Sequence, residues 1–251
     1  MSNHWEAKLS ENFGIDASLE SLDGEYDLNF FANASSKKYV VKVMRVGCEP
    51  DFINMQCAAI RMLNGKNLCT PEIIPTVSGA DFASVNDEEG NLRLVWVIKA
   101  KSGVCYSKIY PRPIDFIYDL GKKIGGLNKA LKEFDHPYLD RDFKWNLMES
   151  NWITDYLYLI TDNDRKDILI EIIEEYNSVL HKAKKLPQFA IHNDLNDYNI
   201  LATSDISEGV EVSGIIDFGD MISQSAKLVF ENKVSLNYKY IIIDEFQDIS
   251  D

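Results

Sequence analysis

No G-x-x-x-x-G-K-[S/T] loop occurs in the 251 residues, which excludes a P-loop mechanism. A G-x-G-x-x-G string is missing too. The stretch Asp23-Gly24-Glu25-Tyr26-Asp27 holds a single glycine, a thin signature for a phosphate cradle. Basic residues are in short supply, 26 Lys and Arg against 40 Asp and Glu, for a formal charge of −14. That balance argues against nucleic acid or an anionic membrane as a partner and is compatible with a cationic or zwitterionic small molecule. Cysteine is scarce. Cys48, Cys57, Cys69 and Cys105 show no C-x-x-C or other metal-ligand spacing, so a reduced, cytoplasmic chain with free thiols is expected. Residues 1–20 lack the apolar core of a signal peptide, and no apolar run approaches the length of a membrane span. Nothing in the sequence indicates an oligomeric state.

What the chain does have is a dense polar string, His192-Asn193-Asp194-Leu195-Asn196-Asp197-Tyr198-Asn199, followed by Ile215-Ile216-Asp217-Phe218-Gly219-Asp220. Phe189 to Ile191, Asn199 to Ala202 and Val212 to Ile216 read as short strands, the last two joined by a polar stretch containing Gly209. If those two pair as an antiparallel hairpin, the start of one lies beside the end of the other. Asn199 and Asp217 then meet at its open end, with Asp194 leading into it. Asn and Asp also populate turns for local hydrogen-bonding reasons, and Asp197 and Asp220 taken singly read that way. Asp194, Asn199 and Asp217 taken jointly match the needs of phosphoryl transfer: one carboxylate to accept a hydroxyl proton and two oxygen ligands for magnesium.

Upstream, Leu28 to Ala32 and Tyr39 to Val43 form an expected hairpin, Pro50 opens a helix, and Leu92 to Ile98 is a further apolar run. Tyr39, Val41 and Val43 share one face of their strand, which leaves Val40 and Lys42 on the other. Lys42 reads either as a lysine on the solvent face of a half-buried sheet or, with the acidic set present, as a fixed cation for nucleotide phosphates. After residue 100 the pattern turns helical, over Ile114 to Leu131 and Arg165 to Lys185. The expected fold class is α+β: an antiparallel-sheet lobe over 1–100, a mainly helical lobe over 101–225 and an atypical tail over 226–251.

These residues resemble the aminoglycoside phosphotransferase and choline kinase-like family, relatives of the protein kinases. The likeness is strongest to the hydroxylysine kinase group and to the kinase-like domain fused to some class III aminotransferases. It runs from about Ile15 to Ile222 and rests on LDGEYDLNF (22–30), YVVKV (39–43), RDFKWNL (141–147), HNDLNDYNIL (192–201) and VSGIIDFGDM (212–221). The resemblance implies a two-lobe, protein-kinase-like fold and a small-molecule kinase using ATP or GTP with Mg²⁺ on an amino acid or amino alcohol. It also implies roles: Asp194 as catalytic base, His192 as a brace of the catalytic loop, and Asn199 and Asp217 as magnesium ligands. Lys42, Gly24 and Asn29 fall to the nucleotide, and Trp96, Val97 and Ile98, within Trp96 to Lys101, to the purine-binding hinge.

Three departures accompany the likeness. Asn193 stands where the family has glycine. Asn54 stands where an acid on the helix pairs with the lysine; Glu49 or Asp51, one turn earlier, could substitute only in a shifted helix. The chain also ends about thirty residues after Asp220, where family members continue for roughly a hundred, so the second lobe is expected to be incomplete. Its tail, YIIIDEFQDIS (240–250), resembles the strand-plus-acid magnesium motif of superfamily 1 helicases without the other helicase elements. The departures keep open a catalytically impaired, kinase-like nucleotide-binding module as the rival reading, with aminoglycoside phosphorylation as a third.

Overall fold

A computed structural model describes residues 2–24, 26–35, 37–66, 68–203 and 209–224. The tail expected over 226–251 lies outside them. In chain order the elements are α1 (Ser2–Phe13), β1 (Ser18–Leu22), β2 (Leu28–Ala34), β3 (Lys37–Val43), α2 (Pro50–Asn64), β4 (Glu72–Ile74), β5 (Phe82–Asn86), β6 (Leu92–Lys99), β7 (Val104–Cys105), α3 (Ile114–Leu131), α4 (Asn163–Ala183), β8 (Phe189–Ile191), β9 (Ile200–Ala202), β10 (Val212–Ile215) and β11 (Ile222–Gln224). Short 3₁₀ segments at Tyr106–Lys108 and Pro137–Asp140, and a longer 3₁₀ stretch at Leu147–Leu159 that is kinked at Glu149, connect them.

The chain forms two compact units. Of the described residues, the first takes those within 2–131 and 194–219. Its main sheet has the order β1-β2-β3-β6-β4, with β5 also on β6, and every pairing is antiparallel. Strand periodicity divides this sheet cleanly. Phe30, Ala32, Tyr39, Val41, Val43, Ala83, Val85, Val95 and Val97 join Trp5, Leu9, Phe13 and Ile15 in one apolar cluster. Trp5, Leu9 and Phe13 recur every fourth residue and so form a single stripe along α1, each worth ~2 kcal/mol when buried. The residues of opposite parity lie in register across the other face, Asn29 against Lys42 and Lys42 against Trp96.

α2 begins with Pro50 at its first turn, where a missing N–H costs nothing, and buries Ile53, Cys57, Ile60 and Leu63 at helical spacing. A second sheet, β10-β9-β7, completes this unit. Its hairpin is antiparallel, Ile215 facing Ile200. The compact units do not divide at residue 100. Val104 pairs with Ala202, and the Val212 amide donates to Asp119 Oδ2 on α3 at 2.9 Å. Those bonds tie the segment after β6 to the β9–β10 hairpin, which belongs to the same unit as the main sheet.

Of the described residues, the second unit takes 132–193 and 220–224. β8 pairs antiparallel with β11. Asp162 caps α4, accepting from the Arg165 amide at 3.1 Å. The helical period read for this segment is present, but its apolar positions Ile168 and Ile172 are 57% and 56% exposed. Arg141, from the RDFKWNL string, donates to the Met221 carbonyl at 2.5 Å and lies over the Phe143 ring, 4.7 Å from its centroid.

Candidate active site

The β9–β10 hairpin brings the polar string to one place. Beyond the last strand pair the Ile216 amide donates to the Asn199 carbonyl at 2.9 Å. The hairpin therefore continues just far enough to set Asn199 beside Asp217, as the strand reading requires. Asn199 spends both side-chain hydrogens on Asp194: Nδ2 lies 2.6 Å from Oδ2 and 3.0 Å from the carbonyl oxygen. Its Oδ1 is left for a different partner.

Asn196 closes the loop from within. Its Nδ2 donates to Asp194 Oδ1 at 2.8 Å, while its Oδ1 accepts from the amides of Tyr198 (2.9 Å) and Asn199 (3.2 Å). Both oxygens of Asp194 are thus held by side-chain amides. Asn196 was not singled out in the sequence, although an asparagine accepting from the residue two ahead is ordinary turn chemistry. Burial raises the Asp194 pKa above the usual carboxylate value; the Asn196 hydrogen bond opposes this, the nearby Asp217 charge adds to it, and the Asn199 hydrogen bond opposes it.

Asp217 sits at φ 59°, in the left-handed region, which few non-glycine residues occupy. Its Oδ1 accepts from Lys42 Nζ at 3.1 Å and from the Gly219 amide at 3.4 Å. The sheet face thus delivers Lys42 to the hairpin's open end. Lys42 Nζ is also 5.7 Å from the centroid of the Trp96 ring. On α2, Asn54 donates to Asp51 at 3.2 Å within its own helix. Asp217 is the carboxylate that the structure sets on Lys42.

The remaining expected site residues are placed as follows. Gly24 is glycine for a steric reason: a Cβ there would collide with the Asp27 carbonyl and the Asn29 amide. Asn29 Oδ1 is buried without a hydrogen-bond partner. His192 is buried, and Asn193 takes up the left-handed conformation, φ 67°, that a glycine would otherwise fill. Trp96, Val97 and Ile98 are in mid-strand rather than in a hinge. β3 pairs along one edge of this part of β6, and β5 and then β4 along the other. Their backbone groups are therefore committed to the sheet. The segment that leaves the ladder begins at Ala100, whose amide still donates to the Lys38 carbonyl at 2.9 Å.

The donor set suits a hard divalent cation. Asn199 Oδ1 and the Asp217 carboxylate offer oxygen only, and no cluster of three or more His, Cys, Asp or Glu among the described residues forms an all-protein cage. Two protein oxygens plus phosphates and water is how magnesium is commonly held.

Comparisons with known proteins bear on the family and the fold. Residues 19–222 match the family described as "Phosphotransferase enzyme family". A hydroxylysine kinase of Danio rerio is 27% identical over 241 residues, covering 91% of this chain and 67% of its own length. Among solved structures, an amicoumacin kinase in complex with AMP-PNP, Ca²⁺ and Ami superposes with a TM-score of 0.66 at 15% identity. That match covers 89% of this chain and 65% of the other. A microcompartment-associated aminopropanol kinase gives 0.60 at 18% identity over 88% of this chain and 70% of the other. These likenesses show a kinase-like α+β fold. Among the described residues no helix is long and apolar enough to cross a membrane.

Proposed function

The chain belongs to the phosphotransferase enzyme family, and on that premise we propose that it transfers the γ-phosphoryl group of ATP or GTP to a hydroxyl of an amino acid or amino alcohol of the hydroxylysine type. One observation carries the reading: Asn199 is hydrogen-bonded to Asp194 and Lys42 to Asp217, and the Ile216–Asn199 backbone bond brings the two pairs to the open end of one hairpin.

In this reading Asp194 orients the acceptor hydroxyl and takes its proton as the oxygen attacks the γ-phosphorus. The bond from that phosphorus to the β–γ bridging oxygen breaks, and the nucleoside diphosphate leaves with the electron pair. A raised pKa makes Asp194 a better proton acceptor than an exposed carboxylate. Asn196 and Asn199 hold its two oxygens, so little reorganisation accompanies the transfer. Lys42 offers a fixed cation to the nucleotide phosphates, with His192 as a buried brace of the loop and Gly24 and Asn29 lining the nucleotide side. Asn199 Oδ1 and Asp217 would hold magnesium, which supplies charge neutralisation across the transferring phosphate. The hydroxylysine and aminopropanol kinases among the similar proteins support an amino-alcohol acceptor.

The test is nucleotide turnover by the full chain with 5-hydroxylysine, homoserine, choline and an aminoglycoside as separate acceptors. Turnover with 5-hydroxylysine or homoserine is expected. Turnover with the aminoglycoside alone would replace the acceptor assignment. One observation favours a nucleotide-holding module without turnover: Asn54 stands where an acid for Lys42 is expected on α2, and it faces Asp51. Metal-dependent nucleotide binding with no turnover on any acceptor would establish that second reading.

A further inference from the structure

Gln56 is a polar side chain that the site as described leaves without a task. It lies on α2 and is 1% exposed, among Ile53, Met55, Cys57 and Ile60. Its Nε2 donates to the Phe52 carbonyl one turn back at 3.1 Å. A carbonyl can only accept, so this bond settles which end of the amide is which. Oε1 is then the free end, and it is buried without a hydrogen-bond partner. Buried amide oxygens are rarely left that way, and each instance calls for a reason.

The neighbour of that oxygen is Gly219. A Cβ built on Gly219 would lie 3.3 Å from Asp217 Oδ1, 3.5 Å from the Phe52 ring and 4.0 Å from Gln56 Oε1. α2 therefore sets its one orphaned acceptor, among the described residues, beside the turn that carries Asp217. The Gly219 amide now donates to Asp217 Oδ1 over a long 3.4 Å, and the same oxygen accepts from Lys42. An oxygen given over to a divalent cation is a poorer acceptor for that amide.

We infer that Gln56 is a positioning residue: its Oε1 is the acceptor that takes the backbone N–H of the 217–219 turn when Asp217 engages the metal of a metal-nucleotide complex. The inference rests on the phosphotransferase reading of the site. It gives the buried amide a purpose that stability does not, because an unmet acceptor weakens the resting fold.

The experiment compares the full-length wild type with Gln56→Met, which keeps the volume and removes the acceptor. Thermal midpoints are measured without ligand, and magnesium is titrated at a fixed concentration of adenylyl imidodiphosphate. The variant is expected to melt at or above the wild-type temperature yet to need about five-fold more magnesium for half-saturation, the value of one hydrogen bond. A variant that melts lower while its magnesium requirement is unchanged would overturn the inference and leave a structural amide. Should the variant fail to fold, hydrogen exchange at the Gly219 amide of the wild type decides. Exchange slowed roughly ten-fold or more by magnesium with the nucleotide supports the bond, and an unchanged rate overturns it. If the wild type binds no nucleotide in the presence of magnesium, the site reading itself fails and this inference falls with it. If the wild type binds and the variant matches it, only the role of Gln56 is lost.

Discussion

Lys42 Nζ and Asp217 Oδ1 lie 3.1 Å apart although 175 residues separate them in the chain. The pair joins the middle of β3 to the end of the β9–β10 hairpin. With 17% and 46% of their side chains exposed, its two members remain partly solvated. A pair so placed contributes only about 0–1 kcal/mol to stability. Its value is positional.

Asp217→Asn should therefore leave the thermal midpoint nearly unchanged while abolishing the magnesium dependence of nucleotide binding. Differential scanning fluorimetry with and without magnesium and nucleotide reads both quantities. A variant with wild-type metal dependence would remove Asp217 from the ligand set.

Asp194→Asn should lower turnover roughly 10²- to 10⁴-fold, the usual range for losing a general base. Nucleotide affinity should hold within about two-fold, a change under 0.5 kcal/mol. Steady-state kinetics paired with calorimetric nucleotide binding checks the split, and undiminished turnover would disprove the assignment.

Asn196→Ala removes one donor to Asp194 and the acceptor of two amides, so both loop geometry and stability should suffer. A cost of about 1–3 kcal/mol is expected from the stranded groups. Asn196→Asp keeps the acceptor but sets a like charge against Asp194. It should recover stability in urea titrations without recovering turnover.

Asp87 supplies a pH signature away from the site. Burial pushes its pKa up, but hydrogen bonds from the Arg93 side chain, from the backbone and side chain of Asn91 and from the Glu89 amide outweigh that and hold it at about 2 instead of 3.8. A depressed carboxylate stabilises the fold above the unfolded value and loses that contribution as pH falls. Protection of the β5–β6 turn against hydrogen exchange should thus weaken between pH 4 and pH 2. Asp87→Asn should abolish that pH dependence.

Much of the site could be read without coordinates because its parts are local. Asp194 and Asn199 are five residues apart, and a single hairpin brings Asp217 to them. Alternation along Tyr39 to Val43 put Lys42 on the correct face for the same reason: strand period is a property of neighbours. What escaped depends on distant pairing. Glu72–Ile74 and Phe82–Asn86 are short, and nothing in them announces that they will share an edge of β6. Hence Trp96 to Ile98 read as a hinge when they are the paired interior of a sheet. α1 escaped because only three of its residues face the core, too few to stand out as a stripe. The Lys42 partner escaped because the helix offered nearer acids, Glu49 and Asp51, while the true one comes from the other end of the sequence.

The left-handed backbone of Asp217 sets stability and chemistry against each other at one codon. Glycine there would relax a conformation that costs an L-residue about 1–2 kcal/mol. A screen scoring only folded yield should therefore enrich glycine at 217, and one scoring phosphoryl transfer should discard it.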